Sequence, residues 1–235
     1  AGPGNAPKVR VETVPENAMM SRRREIPMFG TERCPMQTRS VVCGLLVWCG
    51  FVSLGQAENW PGWRGPRGDG SSDETKVPVT WSETSYIAWK VKLPYGGHSS
   101  PIVLDNRVFL VGANVGDHPS RMLVCLDFTT GKLLWEKVVV ETPLEKKHKL
   151  NSWASGTPVT DGEKVYVSFL DQTDMLVAAY DLEGERLWQT RPGVFKSVHG
   201  FCSSPVVFKD LLIVNGDHDG ESYLTALKRT NGDTV

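Results

Sequence analysis

Between Ser99 and Trp135 the chain alternates short apolar runs with clusters of turn formers. The runs are Ile102 to Leu104, Val108 to Val111, Met122 to Leu126 and Leu133 to Val138. Their β-branched and aromatic content, bounded by Gly, Asp and Asn, predicts four strands. Val108-Phe109-Leu110-Val111 is apolar throughout and does not alternate, so both of its faces are expected to be covered, as when sheets stack on one another. Asp105-Asn106 and Asp161-Gly162 are tight-hairpin dipeptides, because these residues accept the positive φ that such turns require.

The pattern then recurs. A second unit opens at Thr157-Pro158-Val159 and passes through Ala179-Tyr180-Asp181 and Gly184 to Trp188; a third opens at Ser203-Ser204-Pro205 and runs to Asn231-Gly232 and Val235. Pro101, Pro158 and Pro205 hold equivalent places, as do Gly131, Gly184 and Gly232 before the last strand, where a turn needs a residue without Cβ. Trp89, Trp135 and Trp188 follow one another at intervals of 46 and 53 residues, a period that fits units of four short strands with one variable connection. The reading is an all-β fold of β-propeller blades, each of four antiparallel strands. Residues 86–93 supply a closing strand around Trp89, 99–138 and 155–190 two blades, and 203–235 an incomplete blade. In the third unit the tryptophan would fall just beyond Val235. The expectation is therefore a chain that stops in mid-repeat, an incomplete ring whose remaining blades come from a missing C-terminal part.

Upstream, the pattern changes. Residues 1–35 are rich in Pro, Gly and Arg without an apolar period and are expected as a disordered leader or upstream sequence. Residues 36–57 read as a signal peptide: Arg39 precedes the apolar stretch Val41 to Leu54, and Gly55-Gln56-Ala57 offers small residues where a signal peptidase cuts. Cleavage after Ala57 and a periplasmic or secreted location follow, with no transmembrane span once the signal is removed. Residues 58–85 open with Trp60-Pro61-Gly62-Trp63-Arg64-Gly65-Pro66 and are expected as an irregular arm packed on the fold. Arg67-Gly68-Asp69 spells an adhesion tripeptide, which a Gly-rich loop produces by chance.

Composition adds limits. The formal net charge of −1 gives no reason to expect nucleic acid or an anionic membrane surface as partner. Of five cysteines, Cys34, Cys43 and Cys49 lie in or before the segment expected to be removed. Cys125 takes the slot of Ala179 and Ala226 and reads as a small buried residue. Whether it pairs with Cys202 in an oxidising compartment is left open by sequence.

Ser99 to Pro101, with Leu126-Asp127-Phe128-Thr129-Thr130-Gly131-Lys132-Leu133-Leu134-Trp135, resembles the pyrroloquinoline-quinone-like repeat family. The opening Trp60 to Pro66 and Gly97-His98-Ser99-Ser100-Pro101 are similar to exported propeller proteins common in planctomycete bacteria. Lys228 departs from the pattern by replacing the blade aspartate, and Glu183-Gly184 is one residue shorter than Thr129-Thr130-Gly131. The resemblance implies either a quinone-dependent dehydrogenase or a non-catalytic scaffold, since the family holds both.

The segments entering each innermost strand are expected to converge near the axis, and His98, Trp153 and His199 on them form a candidate ligand funnel; imidazoles titrate near neutrality and suit acid–base work. The bland alternative is that they fill the axial end of the blades, since neither histidine has a carboxylate at a recognisable spacing. Asp217 to Glu221 lacks the length of a calcium loop and reads as a polar hairpin tip, like Asp171 to Asp174 and Gly116 to His118. Glu145-Lys146-Lys147-His148-Lys149 reads as a solvated loop. No adjacent cysteine pair and no Cys-x-x-Cys-His haem motif occurs. The residues thus favour a binding or scaffold propeller that receives a protein partner or small ligand on its face. Pyrroloquinoline quinone with calcium is the alternative, not favoured, and no catalytic or metal-ligating residue is assigned.

Overall fold

The computed structural model describes residues 58–75 and 77–235; the expected leader, the signal segment, its cleavage site and the first three cysteines lie outside the described residues. Among the described residues, eleven strands form three antiparallel sheets. In the first, β1 (Ile102–Leu104), β2 (Arg107–Asn114), β3 (Ser120–Asp127) and β4 (Leu133–Glu141) pair in chain order. In the second, β5 (Val159–Thr160), β6 (Lys164–Asp171), β7 (Asp174–Asp181) and β8 (Arg186–Val194) do the same. The third holds β9 (Val206–Phe208), β10 (Leu211–Gly216) and β11 (Tyr223–Lys228). Beyond β11, Thr234 bridges Leu227 and the Val235 amide donates to Ala226 O at 2.9 Å, where the outermost strand starts in the other sheets.

The sheets stack face to face. Ile102, Phe109, Leu123 and Cys125 from the first interleave with Val165, Val167, Leu176 and Ala178 from the second. The second sheet's other face, with Tyr166, Met175 and Val177, packs on Leu212, Val214 and Leu227 of the third. The middle strands are therefore apolar on both faces, and β6 and β7 are buried along nearly their whole length. β1 lies beside β5 and β5 beside β9, so the innermost strands converge while the outer ones diverge. This radial stack of four-stranded meanders is an arc of a β-propeller.

Neighbouring blades are locked by one repeated contact. The indole N–H of Trp89 donates to Phe128 O at 2.8 Å, that of Trp135 to Leu182 O at 3.0 Å and that of Trp188 to Arg229 O at 3.0 Å. Each ring lies over a glycine of the following blade. A Cβ on Gly131, Gly184 or Gly232 would sit 2.5, 2.8 or 2.6 Å from that ring, and each glycine has positive φ, at 69°, 87° and 79°. These glycines therefore satisfy two demands together, a left-handed turn and the close approach of a ring.

The turn itself is held by the blade aspartate. Asp127 Oδ1 accepts from the Thr130 amide and hydroxyl, both at 2.7 Å, and Asp181 Oδ1 accepts from the amides of Glu183 and Glu185. At Lys228 that carboxylate is missing, yet the main-chain bonds Gly232 N–H to Lys228 O and Lys228 N–H to Asp233 O preserve the turn. Residues 86–93 carry no strand ladder among the described residues, because no described strand lies alongside to pair with them. Trp89 nevertheless holds the docking position of the other two tryptophans.

Trp60 and Pro61 bridge the innermost strands of the first two sheets. Trp60 and Val103 exchange two main-chain hydrogen bonds at 2.9 Å, and the Thr160 amide donates to Pro61 O at 2.8 Å. Gly65, with φ of 71°, folds the arm back over the Trp60 ring, and Arg67 forks onto Glu58, with one N–O distance of 2.7 Å. Both thiols in the described residues are free. Cys125 is buried, and loss of solvent pushes its pKa up to about 12; Cys202 is exposed. Among the described residues no helix is long and apolar enough to cross a membrane.

Candidate functional site on the loop face

Antiparallel meanders put alternate connections at opposite ends of a blade. One end carries the β2–β3 and β6–β7 tips together with the segments that enter each innermost strand: 94–101, 142–158 and 195–205. The structure lays these three side by side. The amides of His98 and Ser99 donate to Ala154 O at 3.0 and 3.1 Å, and Asn151 Nδ2 donates to His199 O at 2.8 Å. The Thr157 amide donates to Ser204 Oγ at 2.9 Å, and Ser168 Oγ donates to Ser203 O at 2.7 Å. Main-chain groups that leave the ladder are thus satisfied by the next blade's entry segment.

His98 and His199 are both exposed, and Trp153 is half-buried. Trp153 is pinned by its indole N–H, which donates to Glu145 O at 2.9 Å, and carries Lys147 Nζ 4.4 Å above its ring. The imidazole beside His199 is that of His148, with ring centroids 5.7 Å apart. His148 sits in the segment read from sequence as a solvated loop, where nothing in the local pattern marks it as a neighbour of His199. Around this imidazole pair, Leu150 and Val198 stand out, 75% and 72% exposed, with Lys146 and Lys149 exposed beside them. The face therefore exposes apolar and basic side chains together, with the Asp219 carboxylate on the Val198 amide.

Glu145 corrects the expectation of a solvated segment. Its carboxylate is buried against Arg121 at the start of β3, whose guanidinium is fully enclosed and also donates to Thr142 O at 3.0 Å. Burial pushes the Glu145 carboxyl above its usual range, opposed by the Arg121 charge, and draws the Arg121 guanidinium below its own. Asp171, at the β6–β7 tip, contributes a second negative charge to Arg121 and is held by Arg191, with Nε 3.1 Å from its carboxylate. The loop is thus anchored at its base by a buried ion pair and free only along its crest. Sequence reasoning missed this pair because a lone arginine in an apolar strand and an acid in a lysine-rich stretch lie twenty-four residues apart.

This face carries the imidazoles of His98, His148 and His199, the Trp153 indole and lysine amines, together with the Glu145 carboxylate engaged by Arg121 and the Asp219 carboxylate, which accepts from the Val198 amide at 2.8 Å. Calcium takes six to eight oxygen ligands, and among the described residues no group of three or more His, Cys, Asp or Glu is placed to hold a metal ion.

Comparisons with known proteins place the chain in a family. No curated protein sequence matches it. Among solved structures, a europium-containing methanol dehydrogenase is 18% identical, with a TM-score of 0.44 over 60% of this chain and 24% of that one. BamB from Moraxella catarrhalis is 18% identical, with a TM-score of 0.46 over 63% of this chain and 41% of that one. The quinohemoprotein alcohol dehydrogenase from Comamonas testosteroni is also 18% identical, with a TM-score of 0.42 over 60% of this chain and 20% of that one. The chain thus spans less than half the length of each. Residues 115–235 match the model of the family described as outer membrane protein assembly factor BamB, and the chain belongs to that family of pyrroloquinoline-quinone-like repeat proteins.

Proposed function

We propose that this protein is an exported, non-catalytic interaction scaffold whose loop face docks a protein partner. The observation that carries the reading is the crest of that face: Leu150 and Val198 hold apolar side chains in water beside the His148–His199 pair, with Lys146 and Lys149 exposed on the same segment as Leu150. Large apolar side chains exposed together among charged ones mark a protein-docking patch. His98, Trp153 and His199 belong to it as contact residues. The partner that suits it presents apolar side chains ringed by carboxylates, and the family description points to the assembly machinery of the outer membrane, hence a periplasmic location. In the full-length protein further blades would complete the ring.

Site-specific photocross-linkers at Leu150 and Val198, in the cell that exports the protein, test this directly. One defined partner at both positions is expected, with its yield reduced by Leu150→Glu or Val198→Glu and unaffected by a linker on the opposite end of the blade at Asp210. Equal labelling from all three positions would overturn the reading. A quinone-dependent oxidoreductase is the second reading, favoured only by membership of a repeat family that includes such enzymes. Dye-linked alcohol or sugar oxidation restored by pyrroloquinoline quinone and calcium in the full-length protein would establish it and displace the scaffold.

A further inference from the structure

The inner edges of the three sheets are not equally covered. Val103, Thr160 and Val207 are equivalent: each stands two residues after the entry proline and pairs with the second residue of its hairpin partner, as Val103 with Val108, Thr160 with Val165 and Val207 with Leu212. Val103 uses both its N–H and its C=O on Trp60, so its pairing with Val108 is the non-hydrogen-bonded kind, with main-chain groups turned away from β2. Thr160 turns its N–H the same way, to Pro61. The shared register turns the N–H and C=O of Val207 toward the axis as well, and no described segment bridges them.

Beside Val207 lies a cavity of about 610 Å³. Pro61, Trp63, Arg64 and Pro66 of the arm form one wall, and Val206 and Val207 form part of the other. Trp63 is half-exposed, with the Arg64 guanidinium 5.9 Å from the centre of its ring. Among the described residues Arg64 has no carboxylate partner, whereas Arg67 is engaged by Glu58 and Asp73. An open strand edge, a rigid wall of proline and tryptophan, and an uncommitted cation converge on one groove.

We propose that this axial groove binds an extended acidic peptide segment of a partner protein, which bridges Val207 as Trp60 bridges Val103 and sets a carboxylate against Arg64. Main-chain bonds to an exposed edge give such a complex its affinity and the side-chain wall its selectivity. The two equivalent edges are already covered by extended chain, which is why a peptide, and not a compact ligand, is the occupant. The groove meets the loop face only at Ser204 and Pro205, uses neither His98, His199 nor the Leu150 crest, and does not depend on the reading given for that face.

The test is fluorescence anisotropy of the full chain with a labelled eight-residue peptide of alternating valine and threonine carrying one central aspartate. Methylating the peptide's alternate amides is expected to weaken binding by about tenfold or more, because each lost main-chain bond removes a donor that nothing replaces. Val207→Pro removes the inward N–H without touching a ladder bond, and the same loss is expected with an unchanged circular dichroism spectrum. Arg64→Gln is expected to abolish the preference for aspartate over asparagine. Should Val207→Pro fail to fold, the methylated peptides put the same question to the wild-type protein. No binding at millimolar peptide, equal binding by the methylated peptides, undiminished binding by folded Val207→Pro, or an intramolecular cross-link from position 63 that fills the groove with this chain's own residues would each overturn the proposal.

Discussion

At the scale of single residues, the fold turns on three tryptophans and three glycines. Trp135 stands four residues after Gly131 in sequence, beyond the turn that this glycine makes. The structure pairs it with Gly184 of the next blade, and its N–H reaches a carbonyl 47 residues on. Both residue types were legible in the sequence, as was the turn that needs glycine; the partner was not, because a contact between blades leaves no local period. Gly184→Ala combines a strained left-handed backbone with a methyl group driven into the indole, so a loss of about 2–4 kcal/mol is expected. Trp135→Ala should cost about 3–5 kcal/mol through the cavity it leaves. Trp135→Phe keeps most of the ring but orphans the Leu182 carbonyl, for about 1–2 kcal/mol. Urea unfolding of the three variants checks the order. If Gly184→Ala were neutral, the docking of ring on glycine would not be what joins the blades.

Among elements, the strands were the most legible feature. The apolar runs of the first unit fall within β1 to β4; β2 and β3 are apolar because both of their faces are buried, a signature that survives without knowledge of its neighbours, whereas β4 leaves Leu133, Leu134 and Val138 exposed. The loop between β4 and β5 was not legible. Its run of lysines describes the crest, while Glu145 at its base is drawn inward by Arg121. Replacing one member of such a pair strands the other charge in a dry site, so Glu145→Gln is expected to destabilise by about 3–5 kcal/mol. Arg121→Met combined with Glu145→Leu should recover most of that loss, since the pair's own desolvation cost is removed with it. A double-mutant cycle by thermal and denaturant unfolding measures this, and simple additivity of the two single changes would show that the pair does not interact. Because Glu145 O also holds the Trp153 indole, the Glu145→Gln loop should lose the relation between Trp153 and Lys147 before the blades themselves loosen.

For the whole molecule, the question is how the blades are held at the axis, where β1, β5 and β9 converge and no described strand lies further in. The arm supplies the answer for two of the three. Composition marked residues 58–85 as irregular, and nothing in a run of Pro, Gly and Trp says which edge it will meet, since single bridges impose no strand period. The bridges nonetheless name their own amides: Val103 N–H to Trp60 O, and Thr160 N–H to Pro61 O. Removing residues 58–75 should therefore leave the blade ladders intact while the Val103 and Thr160 amides lose protection in native-state hydrogen exchange, by about tenfold or more if each is held only by the arm. Val207, which has no such partner among the described residues, should exchange at the same rate with and without the arm. Loss of protection throughout β2, β3, β6 and β7 would instead mean that the arm is an integral part of the core, and that the blades do not cohere through their tryptophan locks alone.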